Sequence, residues 1–145
     1  MLEPILGNPA AIAACGSERV LVVADYHAGL EVGLRRDGVE IDSRAERRRE
    51  SVLGLLDRHP VDRVLFLGDL GDSIGEPGRE ERAELRALLK AVTDEVPVTV
   101  TKGNHDGAIE TVVGGFGGVD VTDGDGVRIG SIGFCHGHTW PTESV

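Results

Sequence analysis

Two short runs, "RVLVVAD" at 19–25 and "RVLFLGD" at 63–69, constrain this chain more than any other feature in it. Each is a nearly unbroken apolar series that ends in a carboxylate. A strand with one wet face would alternate polar and apolar residues. An unbroken run must be covered on both faces, which is the pattern of a parallel sheet between other layers. An acid that closes such a run leaves the sheet at its carboxyl end, where loops diverge and ligands gather.

The segments between the runs read as helices. Over 43–58, Ser43 and Glu46 predict a capping box, with Ala45, Val52, Leu53 and Leu56 on one face and the arginines at 47–49 on the solvated side. A second helix is expected over 80–92, where Leu85, Leu88, Leu89 and Val92 repeat at helical spacing. "VPVTVTKGNHD" then reads as a third strand running into a turn, followed by a short helical piece near 108–113. "GVDVT", "DGDG" and "VRIGSIGFCH" read as turn-linked strands, the last ending at His136, and "PIL" with "AAIA" near the start as a weaker hairpin. The alternation predicts a layered α/β fold, and 145 residues suit one domain, 1–145.

A net charge of -10 works against loose binding to nucleic acid or anionic lipid, which needs lysine and arginine to neutralise phosphates. It leaves open a phosphate substrate held through metal ions. No apolar run approaches the roughly 20 residues of a membrane span, and "MLEPILGNPAAIAACGSERV" lacks the basic end and apolar stretch of a secretory signal. A soluble, cytoplasmic protein is therefore expected. Cys15 and Cys135 are far apart and form no CxxC pair, so both are expected to pack rather than ligate.

Four strands end in polar residues of a narrow kind: Asp25 with His27, Asp69, Asn104 with His105 and Asp106, and His136 with His138. Any one of these has an ordinary explanation as a turn cap or loop residue. In this order, at the carboxyl ends of neighbouring strands, they would meet. Carboxylate, imidazole and amide oxygen together suit manganese, iron or zinc, and a carboxylate between two clusters can bridge two ions about 4 Å apart. The expected chemistry is phosphoester hydrolysis. Asp72 reads equally as a turn residue or a neighbour of the ligands, and "DGDG" at 123–126 as a hairpin turn, since it lacks the glutamate of a calcium loop.

"DYH" at 25–27, "GD" at 68–69, "GNHD" at 103–106 and "HGH" at 136–138 resemble, in order, the motifs of the calcineurin-like metallophosphoesterases. "VVADYHAGLEVGL" followed by an arginine-rich helix is similar to the archaeal SbcD-related members. The resemblance implies a layered α/β/β/α sandwich and a dinuclear metal-dependent phosphoesterase. Its substrate would be a phosphodiester or phosphomonoester, with nucleic acids and nucleotides among the candidates. It implies that Asp25 and His27 hold the first ion, that Asp69 bridges, and that Asn104 and His136 hold the second. Manganese is the foremost ion, with iron, zinc or nickel as alternatives. His105 would assist the phosphate or the leaving group, and Asp106 would orient His105. Gly68 and Gly103 are expected where the backbone passes close to the ligands.

The family's closing G-H-x-H does not occur as such. Either "GHTW" at 137–140 is that motif with Trp140 replacing its last histidine, which makes His138 a ligand, or "HGH" is the fourth motif and His138 a neighbour. The second reading is preferred, and it makes the domain C-terminally incomplete, without the last strands of the sandwich. A sheet edge left open in this way would favour a homo-oligomer. An incomplete site also leaves one alternative function, a non-catalytic scaffold that binds a protein partner.

Overall fold

The computed structural model describes residues 1–138, 140–141 and 143–145. The chain opens with β1 (Leu2–Pro4) and β2 (Ala10–Cys15), an antiparallel pair, and β2 runs antiparallel to β3 (Glu18–Val23). After α1 (Leu30–Arg36) and α2 (Ala45–Arg58), β4 (Arg63–Leu67) lies parallel to β3. Next, α3 (Arg79–Thr93) leads to β5 (Val98–Thr101) and α4 (Glu110–Val113) to β6 (Val119–Thr122), each strand parallel to the one before. These six strands form one sheet in chain order, and β7 (Val127–Ile129) with β8 (Ile132–Phe134) forms a separate antiparallel hairpin.

Right-handed crossovers between neighbouring parallel strands in chain order place the intervening helices on one face. On that face Leu21, Val23, Val64, Phe66, Val98 and Val100 pack against Val52 and Leu55 of α2, the leucines of α3 and Val112 of α4. The alternate residues Val20, Val22 and Leu65 point the other way and pack with Cys15 beneath Ile129 and Phe134 of the β7–β8 hairpin. Both faces of the two founding runs are thus covered, as their composition requires. No described helix is long and apolar enough to cross a membrane.

The register positions the site. Val23 lies opposite Phe66, Phe66 opposite Val100, and Val100 opposite Val121, so the parallel strands end nearly level. The polar residues that follow each strand therefore emerge along one edge.

Several local expectations are corrected. β3 stops at Val23 and β4 at Leu67, because the backbone turns left-handed at Asp25, Gly68 and Asp69. The stretch that ends at His136 is not one strand but two, broken at Gly130, where a Cβ would meet the Cys15 backbone at 2.8 Å. The capping box does not form: α2 starts at Ala45, so Ser43 lies one position too early and accepts only from the Ala45 N–H at 3.3 Å. The Arg44 N–H instead donates to Glu31 Oε1 at 2.7 Å. α1 was not anticipated; its sequence, LEVGLRR, carries a glycine and no cap signal.

The largest departure concerns Arg48, expected on the solvated side. Its half-buried guanidinium lies between α1 and α3, donating to both oxygens of the buried Glu31 at 2.7 and 2.8 Å and to both oxygens of the buried Glu84 at 3.0 and 2.5 Å. It also lies 5.9 Å from the Tyr26 ring centroid. Burial disfavours its charge, but the hydrogen bonds it donates to the two carboxylates outweigh that and raise its pKa above the ordinary arginine value. In return the Arg48 hydrogen bond, against the opposing effect of burial, holds the Glu31 carboxyl below its ordinary range. Glu84 Oε1 accepts from the Gly29 N–H at 3.0 Å, which ties this cluster to the loop that follows β3.

Removing one partner from a buried ion pair leaves an uncompensated charge, so Arg48→Ala is expected to destabilise the fold by about 3–5 kcal/mol, read as a lowered urea midpoint. Since the folded Glu31 value lies below the unfolded one near about 4.3, its contribution is complete above that pH and lost as pH falls through the folded value. Glu31→Gln should accordingly flatten the acid limb of the stability profile measured by urea unfolding.

Candidate metal centre

Asp25, His27 and Asp69 have φ of 52°, 51° and 49°, and among the described residues they are the non-glycine positions with positive φ. A side chain in this region costs roughly 1–2 kcal/mol, and such strain persists only where the surroundings over-determine it. Here the β3–β4 pairing continues past the strands. The His27 N–H donates to the Asp69 carbonyl at 3.0 Å, Ala28 to Leu70 at 2.9 Å, and Asp72 to Ala28 at 3.2 Å.

Asp69 lies at the centre. It is 6% exposed, its Oδ1 accepts from the His105 N–H at 3.0 Å, and its Oδ2 is 3.3 Å from His136 Nε2 and 3.8 Å from His27 Nε2. His27 Nε2 is also 3.8 Å from Asp25 Oδ1. One carboxylate between two imidazoles is the arrangement a bridging ligand needs.

The rings are held by carbonyls. His136 Nδ1 is 3.1 Å from the Leu67 carbonyl, and His105 Nδ1 contacts the Asp72 carbonyl. A carbonyl only accepts, so each Nδ1 is the donor and each Nε2 is the ring atom left to face the cluster, which is the orientation that ligation at Nε2 requires. His27 Nδ1 is buried without a hydrogen bond; Asp72 Oδ1 lies 3.2 Å away, outside hydrogen-bonding direction. The rings of His27 and His105 meet edge to face at 5.5 Å.

Both predicted glycines are required by close approach. A Cβ on Gly68 would lie 2.1 Å from His136 Nδ1, and one on Gly103 would lie 2.3 Å from Asp69 Oδ1. Any side chain at either position would displace a candidate ligand.

Asp106 has a different task from the one expected. It is 2% exposed, and its carboxylate accepts from the N–H groups of Leu70 (3.2 Å), Gly71 (2.9 Å) and Gly103 (2.8 Å). The His105 ring is instead oriented by Asp72. Asp106 therefore clasps the loop after β4 to the loop after β5, with His105 carried between them.

The remaining sequence candidates are less enclosed. Asp25 and Asn104 are exposed at the ends of their strands. His138 is exposed, its ring 5.5 Å from that of His136, and Trp140 is 91% exposed. Within "GHTW", Thr139 lies outside the described residues. Two groupings place ligand atoms within 4.8 Å of one another: Asp25, His27 and Asp69, and His27, Asp72 and His105. Asp72 thus belongs to the site, and its spacing three residues after Asp69 was its one sequence signal. Glu81, whose Oε1 accepts from the N–H groups of Asp72 and Ser73 at 2.6 and 2.7 Å, fixes that loop from α3 and had no sequence signal at all.

The donor set, a buried central carboxylate with imidazole Nε2 atoms of His27 and His136 beside it, fits divalent metal ions. The family profile of the calcineurin-like phosphoesterases matches residues 18–144. The crystal structure of a nuclease, MPE, from Pseudomonas putida is similar in fold, with a TM-score of 0.54 at 20% identity over 88% of this chain. The chain spans 62% of that protein. No curated protein sequence matches the chain.

In Asp106→Asn the amide oxygen can replace Oδ2, but the NH2 group then faces the Gly71 N–H, donor against donor. A buried donor left unpaired costs about 1–3 kcal/mol, expected as a lower thermal midpoint in calorimetry.

Proposed function

Because the chain belongs to the calcineurin-like phosphoesterase family, whose profile spans residues 18–144, we propose that it is a metal-dependent phosphoesterase working at the carboxyl edge of its sheet. The observation that carries this reading is the buried Asp69 carboxylate between the imidazoles of His27 and His136, on a backbone strained at the residues that present ligands. On this reading Asp25 and His27 hold one ion, Asn104 and His136 the other, and Asp69 both. Manganese is the ion of first choice; iron, zinc and nickel accept the same ligands. The sequence similarity to the archaeal SbcD-related members and a cytoplasmic location belong to the same proposal.

When bound, two such ions supply the charge that polarises a phosphoryl oxygen and lowers the pKa of a water nucleophile. The chain's own residues do the rest. The Asp72 carbonyl accepts from His105 Nδ1, so Nε2 is the ring atom left to meet a substrate, where in its protonated form it would donate to a leaving or phosphoryl oxygen. Asp106 holds the two loops that set Asp69 and His105 at a fixed spacing. The Pseudomonas putida protein's description as a nuclease supports a phosphodiester substrate over a monoester.

The test is manganese-dependent hydrolysis of bis(4-nitrophenyl) phosphate. His105→Ala is expected to lower kcat by about 100-fold or more with metal retained. Asp69→Asn should lower both activity and the metal content, about two ions per chain, read by inductively coupled plasma mass spectrometry. A wild-type chain that retains no ion and hydrolyses neither mono- nor diester would replace this reading with the non-catalytic scaffold.

A further inference from the structure

A cleft of about 650 Å³ opens beside the candidate metal centre, between α1, the loop after β4 and the start of α3. His105 and Asp72 line it, so it is continuous with the proposed reaction site. One phosphoryl group fills a small part of such a volume, which falls in the range of about 300–1,000 Å³ that holds nucleotide-sized ligands.

Its charges are unevenly paired. Among the lining acids, Glu80 bonds Arg35 at 3.0 and 3.3 Å, Glu81 accepts two backbone N–H groups, and Asp72 faces His27. Arg36 of α1 and Arg79 of α3 line the same cleft, are exposed, and have no ion-pair partner among the described residues. Glu76 is the one lining acid that is likewise unpaired. The guanidinium groups of Arg36 and Arg79 line a cleft that opens beside the proposed reaction site. A guanidinium fork matches two phosphate oxygens, and it loses little hydration in doing so. Val32 and Ile74, the latter 74% exposed, add apolar surface to the lining.

We infer that this cleft is a subsite for a nucleic-acid strand: Arg36 and Arg79 hold a phosphate adjacent to the one being cleaved, and Val32 and Ile74 meet its sugar or base. The inference rests on the phosphoesterase reading and narrows its substrate class. The global acidity opposes diffuse binding, so strand affinity must be local, and this cleft supplies the local cations.

The experiment compares the wild type with Arg36→Ala, Arg79→Ala and the double variant, all at exposed positions outside the metal centre. Kinetics use bis(4-nitrophenyl) phosphate and a short single-stranded oligonucleotide with manganese; binding uses fluorescence anisotropy of the labelled oligonucleotide in EDTA. The double variant should raise KM for the oligonucleotide by about tenfold or more while leaving hydrolysis of the small diester unchanged. The salt dependence of binding should become shallower by about 0.7 in log–log slope for each arginine removed. Unchanged oligonucleotide affinity and slope in the double variant would overturn the subsite, even with the small diester hydrolysed normally. If no diester is hydrolysed by the wild type, the catalytic reading fails, and the anisotropy series still decides whether the cleft binds a strand.

Discussion

The parallel register of β3, β4 and β5 is the constraint on which the rest of the molecule depends. Val23, Phe66 and Val100 lie in one row, so the three strands release their chains at nearly the same height. Everything polar that follows them is delivered to one edge. A slip of one residue would turn each strand's apolar set to the opposite face and stagger the ends. The helix layer and the β7–β8 hairpin prevent this, since each accepts only its own alternate set of side chains. Burial of the core and assembly of the site are therefore one event.

Beyond the strands, order is maintained by buried carboxylates rather than by regular structure. Asp106 accepts three backbone N–H groups, Glu81 accepts two, and Glu31 and Glu84 share Arg48. Each of these side chains accepts from backbone N–H groups of loops or helix starts, Glu31 from that of Arg44 and Glu84 from that of Gly29, and such groups are costly when buried and unsatisfied. These clasps surround the positions held in left-handed backbone, Asp25, His27 and Asp69. The acidity that discourages loose polyanion binding outside thus serves inside as a set of loop anchors.

Much of this was legible beforehand. The founding strands, α3 with its leucine face and the ordered motifs at strand ends all follow from patterns within a few residues, where apolar periodicity and turn chemistry operate. The errors occurred where a residue's partner is remote. Ser43 and Glu46 have the spacing of a capping box, yet Glu31 from α1 takes the N–H at Arg44 and the helix begins one residue late. Arg48 has the look of a solvated arginine, and two buried glutamates on other helices draw its guanidinium in. Asp106 sits next to His105 in sequence but serves Leu70 and Gly71, 36 and 35 residues away.

Sequence alone pointed to Asp25, His27, Asp69, Asn104, His105 and His136 as residues that follow strands, because strands and their ends are local properties; the first five follow strands of the six-stranded sheet and His136 follows the separate hairpin. Tertiary packing alone decided the geometry within that set. It brought Asp69 between two imidazoles, pinned the protons of His105 and His136 to Nδ1 through the Asp72 and Leu67 carbonyls, and drew Asp72 into the cluster. The physical reason is that hydrogen-bond direction and charge compensation depend on atoms that meet only when segments distant in the chain are packed, and no spacing rule encodes which atoms those will be.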